Sequence, residues 1–157
     1  MIKNVYEIME EFQEIPTDRE ERLDVLRQYA DHQGLQGWLM CIFNPNVQFV
    51  DMEIPEYTEE PIPPGMGYST FQMEFKRVYL YIKDHPNCPA GLTNQRRTEL
   101  LIQSLETLEP REAEMWIRMM RKKPDVPFLT RDLVREAFPN LNLGEDVNEA
   151  AQGDTGT

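Results

Sequence analysis

Apolar residues recur along most of the chain at helical rather than strand spacing. Val5, Ile8, Met9 and Phe12 fall at i, i+3, i+4 and i+7, behind an Asn4 suited to cap a first helix. Glu7, Glu10, Glu11 and Glu14 share that spacing on the opposite face, so four carboxylates line one side. Thr17-Asp18-Arg19-Glu20 reads as a capping box that opens a second helix, with Leu23, Leu26 and Ala30 as its stripe. A third helix is expected after Gly34, carrying Leu35, Trp38, Leu39 and Ile42 and stopped at Asn44-Pro45.

The pattern breaks after Asn46. Val47 to Ile54 is apolar and leans towards extended structure. The stretch 55–67, with Pro55, Pro61, Pro63, Pro64, Gly65 and Gly67, is expected to be a crossover loop, because proline removes a donor and fixes φ. Periodicity returns behind a Ser69 or Thr70 cap. Phe71, Phe75, Val78 and Ile82 form one stripe and Met73 with Leu80 another, which predicts a central helix with apolar neighbours on two sides. Thr93 caps a helix carrying Leu101, Ile102, Leu105 and Leu108. Pro110 starts the next, whose buried stripe is Ala113, Trp116, Ile117 and Met120. Pro124 and Pro127 interrupt the chain before a last short helix capped by Thr130, with Leu133, Val134 and Phe138. The expectation is an all-α bundle of about seven helices over residues 1–141, followed by a disordered acidic tail over 142–157.

Charge changes the picture once it is divided along the chain. The 157 residues carry a formal charge of -12, which taken alone argues against a nucleic-acid partner. Residues 1–75 hold 4 Lys and Arg against 15 Asp and Glu, whereas residues 76–136 hold 12 against 9. An acidic front and a mildly basic back suit different partners. No basic segment followed by an apolar run opens the chain, and the uncharged stretch from His32 to Val50 is too polar and broken for a membrane span. Two cysteines make no disulfide framework. A cytoplasmic protein without a membrane partner is expected.

Catalytic signatures are missing from the sequence. His32 and His85 lie in no nucleophile or metallohydrolase motif, and no phosphate-binding glycine loop occurs. His32, Cys41, His85 and Cys88 have zinc-compatible chemistry but poor spacing for a shared tetrahedral site, so neither a metal nor a cofactor is expected. The candidate chemistry is electrostatic. Arg118, Arg121 and Lys122 project from one side of the Trp116 helix, and Arg131 and Arg135 repeat the i,i+4 spacing just downstream, so together they can meet phosphates along a duplex. The same cations are equally suited to pairing with Glu99, Glu106, Glu112 and Glu114.

In order, Val5-Tyr6-Glu7-Ile8-Met9, the segment Leu35 to Phe49, Phe71 to Ile82 and Leu92-Thr93-Asn94 resemble the N-terminal helical DNA-binding domain of T-even-type phage ATP-dependent DNA ligases. Trp116 to Lys122 and Leu133-Val134-Arg135-Glu136-Ala137-Phe138-Pro139-Asn140-Leu141 carry the strongest part of that resemblance, which spans about residues 4–141. It implies a stand-alone, phage-encoded module in the host bacterial cytoplasm. The Lys-x-Asp-Gly motif of the ligases' nucleotidyl-transfer domain is absent, so a non-enzymatic accessory role is implied. Duplex DNA, or a phage replication or repair protein on DNA, is the implied partner, with Arg118, Arg121, Lys122, Arg131 and Arg135 as phosphate contacts. The ligases have a glycine-containing link between the last two helices; here Lys123-Pro124-Asp125-Val126-Pro127-Phe128 stands instead. The alternative expectation is an adaptor or host-takeover factor that offers Glu7, Glu10, Glu11, Glu14 and the rest of residues 1–60 to a basic host or phage protein.

Overall fold

The computed structural model describes residues 3–15, 18–59 and 69–144, whose regular elements are helices. The helices are α1 (Val5–Gln13), α2 (Arg19–Gln28), α3 (Gln33–Phe43), α4 (Phe71–Glu74), α5 (Asn94–Thr107), α6 (Pro110–Arg121) and α7 (Arg131–Ala137), with a 3-10 segment, Phe75–Tyr81, running on from α4. Among the described residues there is no strand, only an isolated antiparallel bridge between Phe49 and Ile82. No described helix is long and apolar enough to cross a membrane. The Pro-rich crossover is described as far as Glu59 and the tail as far as Gly144, and both are non-helical there; the remainder of each lies outside the described residues.

α3 is the hub. It carries no charged side chain, and Leu35, Trp38, Leu39, Cys41 and Ile42 are all buried, as a helix apolar on most sides must be. It packs chiefly on α6 and also on α1 and α4. At the α3–α6 seam the Trp38 indole Nε1–H donates to the carbonyl of Met115 at 2.8 Å. Beyond it the Trp116 ring meets Phe71 and Tyr81 edge-on, with centroids 5.6 and 6.2 Å apart. Gly37 is a glycine because a Cβ there would lie 2.5 Å from the Phe75 ring. α2 packs on α7, and α5 on α6.

Four expectations need correcting. Asp18, not Thr17, caps α2: its Oδ1 accepts from the Glu20 N–H at 2.9 Å, while Thr17 itself lies outside the described residues. Ala30 lies beyond the end of α2 and is exposed rather than buried. α3 begins one residue before Gly34, at Gln33, with the His32 Nδ1 accepting from the Leu35 N–H. The His32 Nε2 in turn lies 2.5 Å from the Lys3 carbonyl, tying the start of α3 to the segment before α1. The largest difference is at 71–82. One turn of α-helix gives way to 3-10 winding, Ile82 leaves the helix for the bridge with Phe49, and Met73 is exposed instead of packed. Val78 and Tyr81 are buried at a spacing of three, the 3-10 period, with Phe75 three residues earlier partly covered.

Two buried carboxylates fix this segment to the bundle. Glu74 accepts from the hydroxyls of Ser69 at 2.6 Å and Ser104 at 2.7 Å, and Thr70 caps α4 by accepting from the Met73 N–H. Glu112 of α6 accepts the Phe71 N–H at 2.9 Å. Burial pushes the Glu112 carboxyl above its ordinary value of 4.5, against the opposing effect of that N–H, and the charges of Glu109 and Glu7 add to the rise. Folded Glu112 therefore keeps a proton over a pH range in which the unfolded chain has lost it. Its contribution to stability is complete below about pH 4.5 and is lost as pH rises through the raised native value. Glu112→Gln keeps the acceptor for Phe71 and removes the ionisation. Thermal melts should show the variant stabilised relative to the parent at pH 7.5 and nearly unchanged at pH 4; a variant destabilised equally at both would contradict this reading.

Candidate nucleic-acid interface

The exposed edge of α6 is a charged stripe because its other positions, apolar apart from Pro110 at the start and the buried Glu112, face the core. Ala113, Met115, Trp116, Ile117, Met119 and Met120 are buried, which leaves Arg111, Glu114, Arg118 and Arg121 to the outside. The stripe is not uniformly cationic. Arg111 stacks over the Tyr6 ring at 4.6 Å and pairs with Glu109 at 3.2 Å. Arg118, with 25% of its side chain exposed, bonds Glu114 at 3.2 Å and donates to the Pro124 carbonyl at 3.1 Å. Glu10 of α1 lines the same cleft of about 190 Å³ as Tyr6, Arg111, Glu114 and Arg118. The predicted acidic and basic surfaces thus adjoin along the α1–α6 seam.

Lys122 and Arg131 are engaged inside the molecule. Lys122 ends α6 in the left-handed conformation, φ 55°, which turns its side chain away from the stripe. Its Nζ donates to the carbonyls of Asn44, at 2.7 Å, and Val47. Burial lowers its pKa from the usual 10.5. Arg131 donates to the carbonyls of Phe43 at 3.1 Å and Leu143 at 2.7 Å. α3 has no basic residue in its last turn, so its terminal carbonyls take their cations from α6 and α7 instead. Arg135 is half-buried on α7 and also has an internal partner. Of the five predicted phosphate contacts, Arg121 alone is both exposed and without a partner among the described residues.

The acidic strip divides in the same way. Glu7 accepts the Asn4 N–H at 2.9 Å as part of the α1 cap. Glu11 pairs with Lys3 at 2.7 Å and accepts from the Tyr29 hydroxyl at 2.7 Å, and these bonds hold its carboxyl below the usual range. Glu10 and Glu14 are exposed, as are Glu20, Glu21 and Asp24 on α2.

Sequence reasoning passed over four cations. Lys76, Arg77, Lys83 and Lys123 are exposed, and their side chains, like that of Arg121, make no hydrogen bond or ion pair among the described residues. A signal for two of them was present, since no carboxylate stands three or four residues from Lys76 or Lys83; Arg77 has Glu74 so placed, and only the fold shows that carboxylate to be buried. Lys83 and the end of α6 flank one extended segment. The Lys83 N–H donates to the Gln48 carbonyl at 2.6 Å, next to the Val47 carbonyl that holds Lys122. Lys122 is accordingly a fastener beneath a surface whose outward cations are Arg121, Lys123 and Lys83, with Asp51, Asp84 and Asp125 exposed on the same segments.

Comparison of the sequence with protein-family models and with curated proteins returns no match. Among the described residues, no group of three or more His, Cys, Asp or Glu side chains is disposed to hold a metal ion. Cys41 is buried, which pushes its thiol up to about 12, and Cys88 is half-buried beside Arg97.

The fastener role of Lys122 has a direct check. Lys122→Met should lower the unfolding free energy by about 1–2 kcal/mol, the range expected when a charge-assisted, partly solvated hydrogen bond is lost. It should alter affinity for an anionic partner by less than about twofold, because the ammonium group points inward. Denaturant unfolding and binding measured on the same sample separate the two effects, and an unchanged stability would contradict the assignment.

Proposed function

We propose that the protein is a non-catalytic accessory module that binds DNA, alone or within a DNA-bound complex, through the cations around the end of α6. The observation that carries the reading is the division of charge. Arg118, Lys122 and Arg131 are bonded internally, while Arg121, Lys123 and Lys83 stand exposed around one fastened segment. Mobile surface lysines and arginines without internal partners are the groups that neutralise phosphates and release counterions. The resemblance to phage DNA-ligase N-terminal domains agrees with this reading and adds the phage setting.

A second reading, an adaptor for a basic protein, is favoured by a different surface. Glu10, Glu14, Glu20, Glu21 and Asp24 are exposed on α1 and α2, where Arg19 and Arg27 are drawn to Glu136 of α7. Glu7 and Glu11 contribute little to it, because the α1 cap and the Lys3–Tyr29 pair occupy them.

An electrophoretic shift with a blunt 20-base-pair duplex in 50 mM salt distinguishes the two. The DNA reading expects a complex that is lost in Arg121→Glu/Lys123→Glu and retained in Glu10→Gln/Glu14→Gln. Absence of any shift with the parent protein, on this duplex and on either of its separated strands, would sink it and leave the acidic surface as the better candidate.

A further inference from the structure

We infer that Phe128 is a stacking platform for an unpaired base of single-stranded nucleic acid, an assignment that rests on the DNA reading and narrows its substrate. Phe128 and Met73 are the exposed large apolar side chains among the described residues, and Phe128 is 61% exposed. Its exposure is enforced by its surroundings. Val126 and Leu129 on either side are buried, and the Leu129 N–H closes a turn onto the Val126 carbonyl at 3.2 Å. Arg118 holds the loop from below through the Pro124 carbonyl. Between these anchors Asp125 and Phe128 take left-handed backbone conformations, φ 53° and 69°. Such angles are uncommon for an aspartate and a true outlier for a bulky aromatic. The ring therefore stands out because both of its anchors are fixed.

The ring is also backed. The guanidinium of Arg22 on α2 lies 3.9 Å from its centroid, and Arg22 is itself buried, with its Nε donating to the Ile15 carbonyl. A planar cation beneath an aromatic ring fixes the orientation of the ring and leaves most of its surface to solvent. Arg121 and Lys123 enter the same loop as exposed cations, offset locally by Asp125. An open aromatic surface, with uncommitted cations five and seven residues before it in the chain, offers a base a stacking face and its strand's phosphates a counter-charge. A duplex hides its base faces inside the stack, so the fit is to a single strand, a gap or a frayed end.

Fluorescence anisotropy with a labelled twelve-nucleotide oligo-dT and with a blunt duplex, both in 50 mM salt, tests this. Phe128→Ala should weaken oligo-dT binding by about tenfold. Duplex affinity should stay within about twofold of the parent, since phosphate contacts carry it. The melting temperature should change little, because the ring contributes little to the core. Phe128→Trp should bind as the parent does, with its indole emission quenched on adding oligo-dT. Oligo-dT binding by Phe128→Ala equal to that of the parent would overturn the platform and leave the DNA reading standing. No binding of either DNA by the parent protein would overturn both.

Discussion

The fold depends on one constraint, an uncharged helix placed at its centre. α3 buries side chains on most of its circumference and ends at Asn44-Pro45, where its last carbonyls have no intrahelical donors. Buried carbonyls left unpaired would cost the bundle dearly, and α3 has no lysine or arginine of its own to cap them. α6 and α7 supply the missing donors through Lys122 and Arg131. Asn44 extends the same junction: its side chain donates to the Asn142 carbonyl, and its Oδ1 lies where a Cβ on Gly144 would intrude at 2.6 Å. Gly144 also has φ 75°, so glycine is required there on two counts. One helix end thereby organises three distant parts of the chain.

That constraint decides which charges remain for a partner. In a chain with 16 Lys and Arg, cations used to close a helix end are withdrawn from the surface, and those paired along α1 and α6 are largely neutralised. What remains is sparse and local: Lys76, Arg77 and Lys83 along the 3-10 segment and bridge, with Arg121 and Lys123 at the end of α6. A small number of phosphate contacts beside an acidic α1–α2 surface favours weak, selective engagement over broad coating of duplex. Shape and stacking then matter more than total charge.

Much of the architecture was legible because amphipathic helices write their burial into a period of 3.6. The stripes of α1, α3 and α6 correspond to buried faces, and Asn4, Thr93, Pro110 and Thr130 stand at the helix starts they mark. The segment 71–82 was not legible, since Phe71, Phe75, Val78 and Ile82 suit an α-helix while Phe75, Val78 and Tyr81 suit a 3-10 helix equally well. Packing of Phe75 against Gly37 and pairing of Ile82 with Phe49 favour the second, and both partners are remote in sequence. The candidate site was legible by residue type and not by role. Nothing local to Lys122 or Arg131 reveals that the acceptors are the carbonyls of Asn44 and Phe43, which lie 78 and 88 residues away. Phe128 was hidden for a related reason. Its neighbours Val126 and Leu129 look no more apolar than it does, and the positive φ that turns it outward has no glycine to signal it.

The central claim, that the cations divide into structural and outward-facing sets, is most directly tested by the salt dependence of DNA affinity. Each phosphate neutralised on duplex DNA contributes roughly -0.9 to the slope of log affinity against log salt. If Arg121, Lys123 and Lys83 alone engage the backbone, a titration from 50 to 200 mM salt should give a slope of about -2.7. A slope that becomes shallower by about 0.9 in Lys122→Met, as expected if that internally bonded ammonium reached a phosphate, would contradict the division.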